Sequence, residues 1–112
     1  MDIKNSREKY GLTCGVPDMD LVPIEESIRL LRESGVEHEF RTTMVRELHT
    51  LEDMASIGRW LGEVPNYYLQ NFVDSGNLIG TGLSGFAPVE LEEMAAVLRK
   101  YVANVGLRGL SY

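Results

Sequence analysis

Cysteine is almost missing from this chain: Cys14 is the sole thiol in 112 residues. One thiol excludes an internal disulfide. It also excludes a self-contained iron–sulfur centre, which takes several cysteines. Long apolar runs are lacking too, and nothing approaches the roughly 18 residues that a membrane-spanning helix needs. The N-terminus carries no apolar signal segment, which argues against export and for a cytoplasmic protein. Basic charge is scarce: 11 Lys and Arg stand against 17 Asp and Glu, a net charge of −6. Nucleic-acid footprints are basic, so that class of partner is not supported. Internal repeats and low-complexity segments are absent.

The residues present, 44% hydrophobic and 25% charged, suit one soluble globular domain over residues 1–112 with a modest core. Three amphipathic helices can be read. The first runs from Pro23 to about Ser34, with Pro23 in the first turn, Gly35 as the stop, and Ile24, Ile28 and Leu31 on one face. The second follows Thr50, whose hydroxyl can cap backbone amides, with Asp53 three residues on in capping-box style. Met54, Ile57 and Leu61 make its stripe and Gly62 ends it. The third starts near Pro88, carries Leu91, Met94, Ala95, Leu98 and Val102, and is expected to end at Asn104 or Gly106.

Strand-like runs separate these helices: Phe40–Val45, Tyr67–Val73 and Val105–Leu110. Met1–Asn5 reads as the tail of a further strand whose beginning is missing. Strand alternating with helix argues for parallel βαβ units. Phe40, Thr42 and Met44 alternate with Arg41, Thr43 and Val45, so one side would face helices while the other carries a charge and a hydroxyl. A barrel arc with a polar mouth suits that pattern better than a sheet buried on both faces. Such an arc has open edges, and open edges invite homo-oligomers through strand pairing. Two long connections, roughly Asn5–Val22 and Asp74–Ala87, follow strands and precede helices, where βα loops build active sites.

Several motifs carry less than they suggest. Gly80-Thr81-Gly82-Leu83-Ser84-Gly85 matches G-x-G-x-x-G, yet it lacks a strand directly before it and an acid about 20 residues later, so a flexible Gly-rich loop is the better reading. His49 lies near Glu47, Glu52 and Asp53, but the spacing fits no metal-ligand motif. The acids Glu90, Glu92 and Glu93 complement a helix dipole. Of Tyr67, Tyr68 and Phe72, core packing is expected for at least two. Gln70 and Asn71 need hydrogen-bond partners, of which a ligand is one. Arg41 needs an anion: a ligand carboxylate, Asp2, or some other structural ion pair.

The runs Glu39-Phe40-Arg41-Thr42-Thr43 and Arg46-Glu47-Leu48-His49-Thr50 look like the fifth strand and following loop of radical S-adenosylmethionine enzymes. Asn66-Tyr67-Tyr68-Leu69-Gln70-Asn71-Phe72 with Asp74-Ser75-Gly76 looks like their sixth strand, and Asp2-Ile3-Lys4 like the end of their fourth. Nearly the whole chain thus resembles the activating proteins of glycyl-radical enzymes, above all those serving anaerobic ribonucleoside-triphosphate reductase. The resemblance implies the C-terminal part of a partial (β/α)6 barrel. It implies S-adenosylmethionine as cofactor, a 4Fe–4S cluster that reduces it, and a glycyl-radical enzyme as partner. Asp2, Lys4, Arg41, Thr43, Gln70 and Asn71 become the cofactor-binding candidates, with Asp2 and Lys4 near the ribose, methionine end or an accompanying cation, and Gln70–Asn71 at the adenine end. The segment Asp74–Phe86 becomes a docking element. The family's C-x-x-x-C-x-x-C motif is missing, so the chain alone is expected to be inactive, as a C-terminal half. The alternative is a non-catalytic α/β interaction module that keeps only the docking surface.

Overall fold

The computed structural model describes residues 1–35, 37–62, 64–72 and 84–109. Its elements are α1 (Tyr10–Thr13), α2 (Val22–Glu33), β1 (Phe40–Met44), α3 (Leu51–Leu61), β2 (Asn66–Asn71), α4 (Pro88–Leu98) and β3 (Asn104–Arg108). Among the described residues the strands form one parallel sheet in the order β1-β2-β3. Met1–Ile3 adds a rudiment beside β1: Asp2 bridges Arg41 in parallel, Ile3 N–H donates to the Arg41 carbonyl at 2.7 Å, and Arg41 N–H donates to the Met1 carbonyl at 3.0 Å. The chain is therefore α/β. No helix among the described residues is long and apolar enough to cross a membrane.

Local chemistry sets the helix ends. Thr50 Oγ1 accepts the Asp53 N–H at 3.2 Å while the Asp53 carboxylate accepts the Thr50 N–H at 2.9 Å, closing a capping box on α3. Gly62, at φ 68°, ends that helix in a conformation that favours glycine. Pro88 opens α4, and Glu90 accepts the Ala87 N–H at 3.0 Å. At the start of α2, Asp20 Oδ1 accepts the Val22 N–H at 3.0 Å. The short α1 lies within the first long connection, where no helix is expected from sequence.

Strands that follow one another in sequence and space, joined by right-handed crossovers, put their helices on one face of the sheet. Burial follows. Phe40, Thr42 and Met44 of β1, Tyr67 and Leu69 of β2, and Val105 of β3 are buried, and the register aligns Phe40 with Tyr67 and Tyr67 with Val105. They meet Met54, Ile57 and Leu61 of α3 and Leu91, Met94, Ala95 and Leu98 of α4 in one core, joined by Ile28 of α2. The other face carries Arg41, Thr43, Tyr68, Gln70, Gly106 and Arg108, none of them buried. Tyr67 is the only one of the three aromatic residues of that run to be fully buried; Tyr68 and Phe72 are partly exposed.

Two expectations are corrected. Val45 lies past the end of β1 and is buried rather than joining the polar side. The last helix stops at Leu98, because the chain then tightens: Lys100 N–H bonds to the Val97 carbonyl at 3.2 Å and Tyr101 N–H to the Leu98 carbonyl at 3.0 Å. That turn keeps Val102 in the core and lays Tyr101 against Gly58 of α3. A Cβ at Gly58 would stand 2.4 Å from the Tyr101 ring.

Gly58→Ala therefore sets two effects against each other. Helix propensity favours alanine by about 1 kcal/mol, whereas overpacking costs about 1–3 kcal/mol. We expect net destabilisation in urea unfolding; a variant as stable as the wild type would mean that Tyr101 does not seat on α3.

Candidate functional site

The bare face has its densest chemistry beside the N-terminal rudiment. Because Asp2 and Arg41 are register partners, their side chains stand on the same side. Arg41 Nε donates to Asp2 Oδ1 at 2.7 Å, and Lys4 Nζ lies 3.8 Å from Asp2 Oδ2. The Arg41 hydrogen bond holds the Asp2 carboxyl below its ordinary range, outweighing desolvation, and the same bond raises Arg41. The Asp2 side chain is 39% exposed and that of Arg41 53%, so water screens the pair and its effect on stability is small. Of the alternatives open for Arg41, the neighbouring Asp2 carboxylate is the one present. A carboxylate flanked by two cations suits a zwitterionic ligand.

One step along the strands, register places Thr43 beside Gln70, and Gln70 beside Arg108. Asp2, Lys4, Arg41, Thr43 and Gln70 thus share the bare face. Asn71 does not. Its Nδ2 donates to the Phe86 carbonyl at 2.9 Å, and its Oδ1 accepts the Phe86 N–H at 2.8 Å. Consecutive strand residues point to opposite faces, so the Gln70–Asn71 pair is split between a surface amide and a structural one.

A cleft of about 300 Å³ opens at the carboxyl ends of the rudiment and β1, lined by Asp2, Lys4, Thr43, Val45, His49 and Phe72 among others. Larger clefts of about 660 and 460 Å³ lie at the opposite end of the sheet, around Tyr101 and around Arg32. Ligands of parallel α/β folds bind at the carboxyl ends of strands, so the smaller cleft is the better candidate.

Beneath this cleft lies a buried polar floor that sequence reading missed. His49 Nδ1 accepts the Val45 N–H at 3.0 Å, and Nε2 donates to the Lys4 carbonyl at 2.9 Å. Both ring nitrogens are thereby engaged by backbone, which leaves no lone pair for a metal. Among the described residues no group of three His, Cys, Asp or Glu is placed to hold one. Asn5 is fully buried; its Nδ2 donates to the Leu48 carbonyl at 2.9 Å and to Thr13 Oγ1 at 3.0 Å. Asp53, besides capping α3, takes Lys9 Nζ at 3.0 Å and Ser6 Oγ at 3.5 Å. The Thr50–Asp53 spacing announces the cap. Nothing local announces partners more than 40 residues away.

The loop after β1 grips the segment that leads into α4. Arg46 N–H donates to the Ser84 carbonyl at 2.8 Å, while the Glu47 carboxylate accepts both the Ser84 N–H and Oγ at 2.7 Å. Those bonds, the hydroxyl's first, lower the Glu47 carboxyl. The Arg46 guanidinium pairs with both oxygens of Glu90 and lies 5.4 Å from the centre of the Phe86 ring. Of the expected docking element Asp74–Phe86, only Ser84, Gly85 and Phe86 fall within the described residues; most of the Gly80–Gly85 run lies outside them too.

Arg46, then the Ala87 amide, depress the Glu90 carboxyl from 4.5 to about 2. A depressed carboxyl adds stability above its unfolded pKa and loses it as pH falls through the folded one. The Arg46–Glu90 contribution is accordingly complete above about 4.5 and fades toward 2. Thermal melts of wild type and Glu90→Gln should differ at neutral pH and converge at the acid end of that window. A gap independent of pH would show that the pairing is not what Glu90 contributes.

Compared with protein-family models, with curated proteins and with solved structures, the chain matches none.

Proposed function

We propose that the chain supplies the C-terminal strands of a partial (β/α)6 barrel in a radical S-adenosylmethionine activating protein. Its partner in this reading is a glycyl-radical enzyme of the anaerobic ribonucleotide reductase kind. One observation carries the proposal. Among the described residues a sequentially ordered parallel sheet leaves one face uncovered, and that face sets Asp2 and Lys4 at the cleft by the strand ends, with Arg41 paired to Asp2 from the start of β1. In a closed or half-closed barrel this face is the interior.

The cofactors fit unequally. An iron–sulfur cluster takes several thiolates, and Cys14 is alone and exposed. The residues present do not fit the cluster, whose ligands would come from other residues. S-adenosylmethionine fits better. Asp2 would take its ammonium, Lys4 and Arg41 its carboxylate, and the Thr43 hydroxyl and Gln70 amide its nucleoside end. Bound there, it would supply the alkyl group on which the family's reaction draws. Asn71, already bonded to Phe86, has no part in this set. Activity would belong to the assembled barrel.

The test is complementation. Calorimetry should find weak or no S-adenosylmethionine binding by the chain alone, and restored binding once a cluster-bearing N-terminal half is added. Arg41→Ala should weaken the restored binding about tenfold, the usual effect of losing one charge-assisted hydrogen bond. No binding by the complemented pair would refute the assignment.

A second reading, a non-catalytic docking module, draws on the clamp that Arg46, Glu47 and Glu90 make around Ser84–Phe86. It expects the reductase to be captured by the chain and lost when residues 74–86 are deleted. Capture that survives the deletion counts against it.

A further inference from the structure

Away from the Asp2 group, this face is built up in layers. Gly106 lies in mid-strand, where glycine weakens a sheet and marks close approach by another group. The group is Tyr68, its register partner: a Cβ on residue 106 would stand 2.7 Å from the Tyr68 ring. The absent side chain lets the ring lie down on the sheet. Arg108 covers the ring in turn, its guanidinium carbon 3.7 Å from the ring centre. Glu39 fixes the guanidinium, accepting from Arg108 Nη2 at 3.1 Å. The Arg108 side chain remains 40% exposed.

We propose that this stack of Tyr68 and Arg108 is the platform for a purine base, in the form of a purine nucleotide. A guanidinium held flat on an aromatic ring presents a second planar, cationic surface, and bases stack on such surfaces. Gln70 is the register neighbour of Arg108, and its amide carries both a donor and an acceptor for the edge of a stacked base. Charge admits an anionic ligand here. Lys4, Arg41 and Arg108 balance Asp2, Glu39 and the Glu37 that lines the cleft at Tyr68, whereas the whole chain carries −6, so an anion meets less repulsion here than elsewhere on the molecule. The inference shares Gln70 with the S-adenosylmethionine assignment, while the Tyr68–Arg108 stack that carries it has no part in that assignment.

The experiment titrates the 112-residue chain with AMP, UMP and ribose 5-phosphate, following amide chemical shifts, in wild type, Arg108→Lys and Glu39→Gln. We expect AMP to bind more tightly than UMP, and ribose 5-phosphate more weakly than either. Arg108→Lys keeps the charge and loses the plane, so AMP binding should drop about tenfold while ribose 5-phosphate is unaffected. Glu39→Gln, which loosens the guanidinium, should weaken AMP binding by a smaller factor. Absence of AMP binding at millimolar concentration overturns the proposal. Equal affinity for AMP and ribose 5-phosphate, or an Arg108→Lys variant as good as wild type, does so too. Since S-adenosylmethionine and the complementing half are not used, failure here is distinct from failure of the complementation test.

Discussion

The handedness of parallel crossovers is the constraint from which the rest of this structure follows. Each strand pairs with its sequence neighbour, each connection returns on the same side, and so α3 and α4 share one face of the sheet. A single layer of helices gives a single core. The strand residues under the helices are therefore apolar or fully bonded, as with Thr42, which donates to the Ile3 carbonyl at 2.7 Å and pairs with the Tyr67 hydroxyl. Burial raises the pKa of that phenol, with Thr42 opposing. The opposite face is left to charges and amides.

The same constraint explains the polar floor. The ends of the rudiment and of β1 must be closed by loops that carry backbone groups into the interior, and each such group needs a partner. His49 bonds one loop amide and the Lys4 carbonyl, and Asn5 bonds the Leu48 carbonyl. Asp53 ties α3 to the segment after the rudiment through Lys9. Groups of this kind contribute little net energy when satisfied and cost much when one partner is removed. Their effect is to fix where Asp2 and Lys4 stand relative to Arg41.

Local chemistry was legible in the sequence and distant chemistry was not. Thr50, Asp53, Gly62 and Pro88 mark helix ends within a few residues of themselves, and α3 starts and stops where they indicate. The alternation in β1 was readable for the same reason. Val102 misled because it keeps the helical period while the chain has already tightened around Tyr101 on Gly58, a contact between segments far apart. The four residues of α1 are too few to show any period. Gln70 and Asn71 looked like one site because they are adjacent, yet the two-residue period of a strand places adjacent side chains on opposite faces. Arg108 gave no signal, since its partners lie far off in sequence, Tyr68 in β2 and Glu39 just ahead of β1.

The bare face is hard to account for as a device for stability. Exposed ion pairs such as Asp2–Arg41 and Glu39–Arg108 contribute between nothing and about 1 kcal/mol each, and glycine at 106 weakens its strand. Valine or leucine at these positions under a second layer would contribute more, since burying one such side chain contributes about 1.5–3 kcal/mol. The sequence instead places five charges there, an aromatic ring laid flat, and an amide with bonds to spare. Each guanidinium is oriented by its own carboxylate, so the groups stand arranged before any ligand arrives. Preorganisation of that kind lowers the entropy cost of binding, a benefit that a covering layer of valine or leucine would not bring.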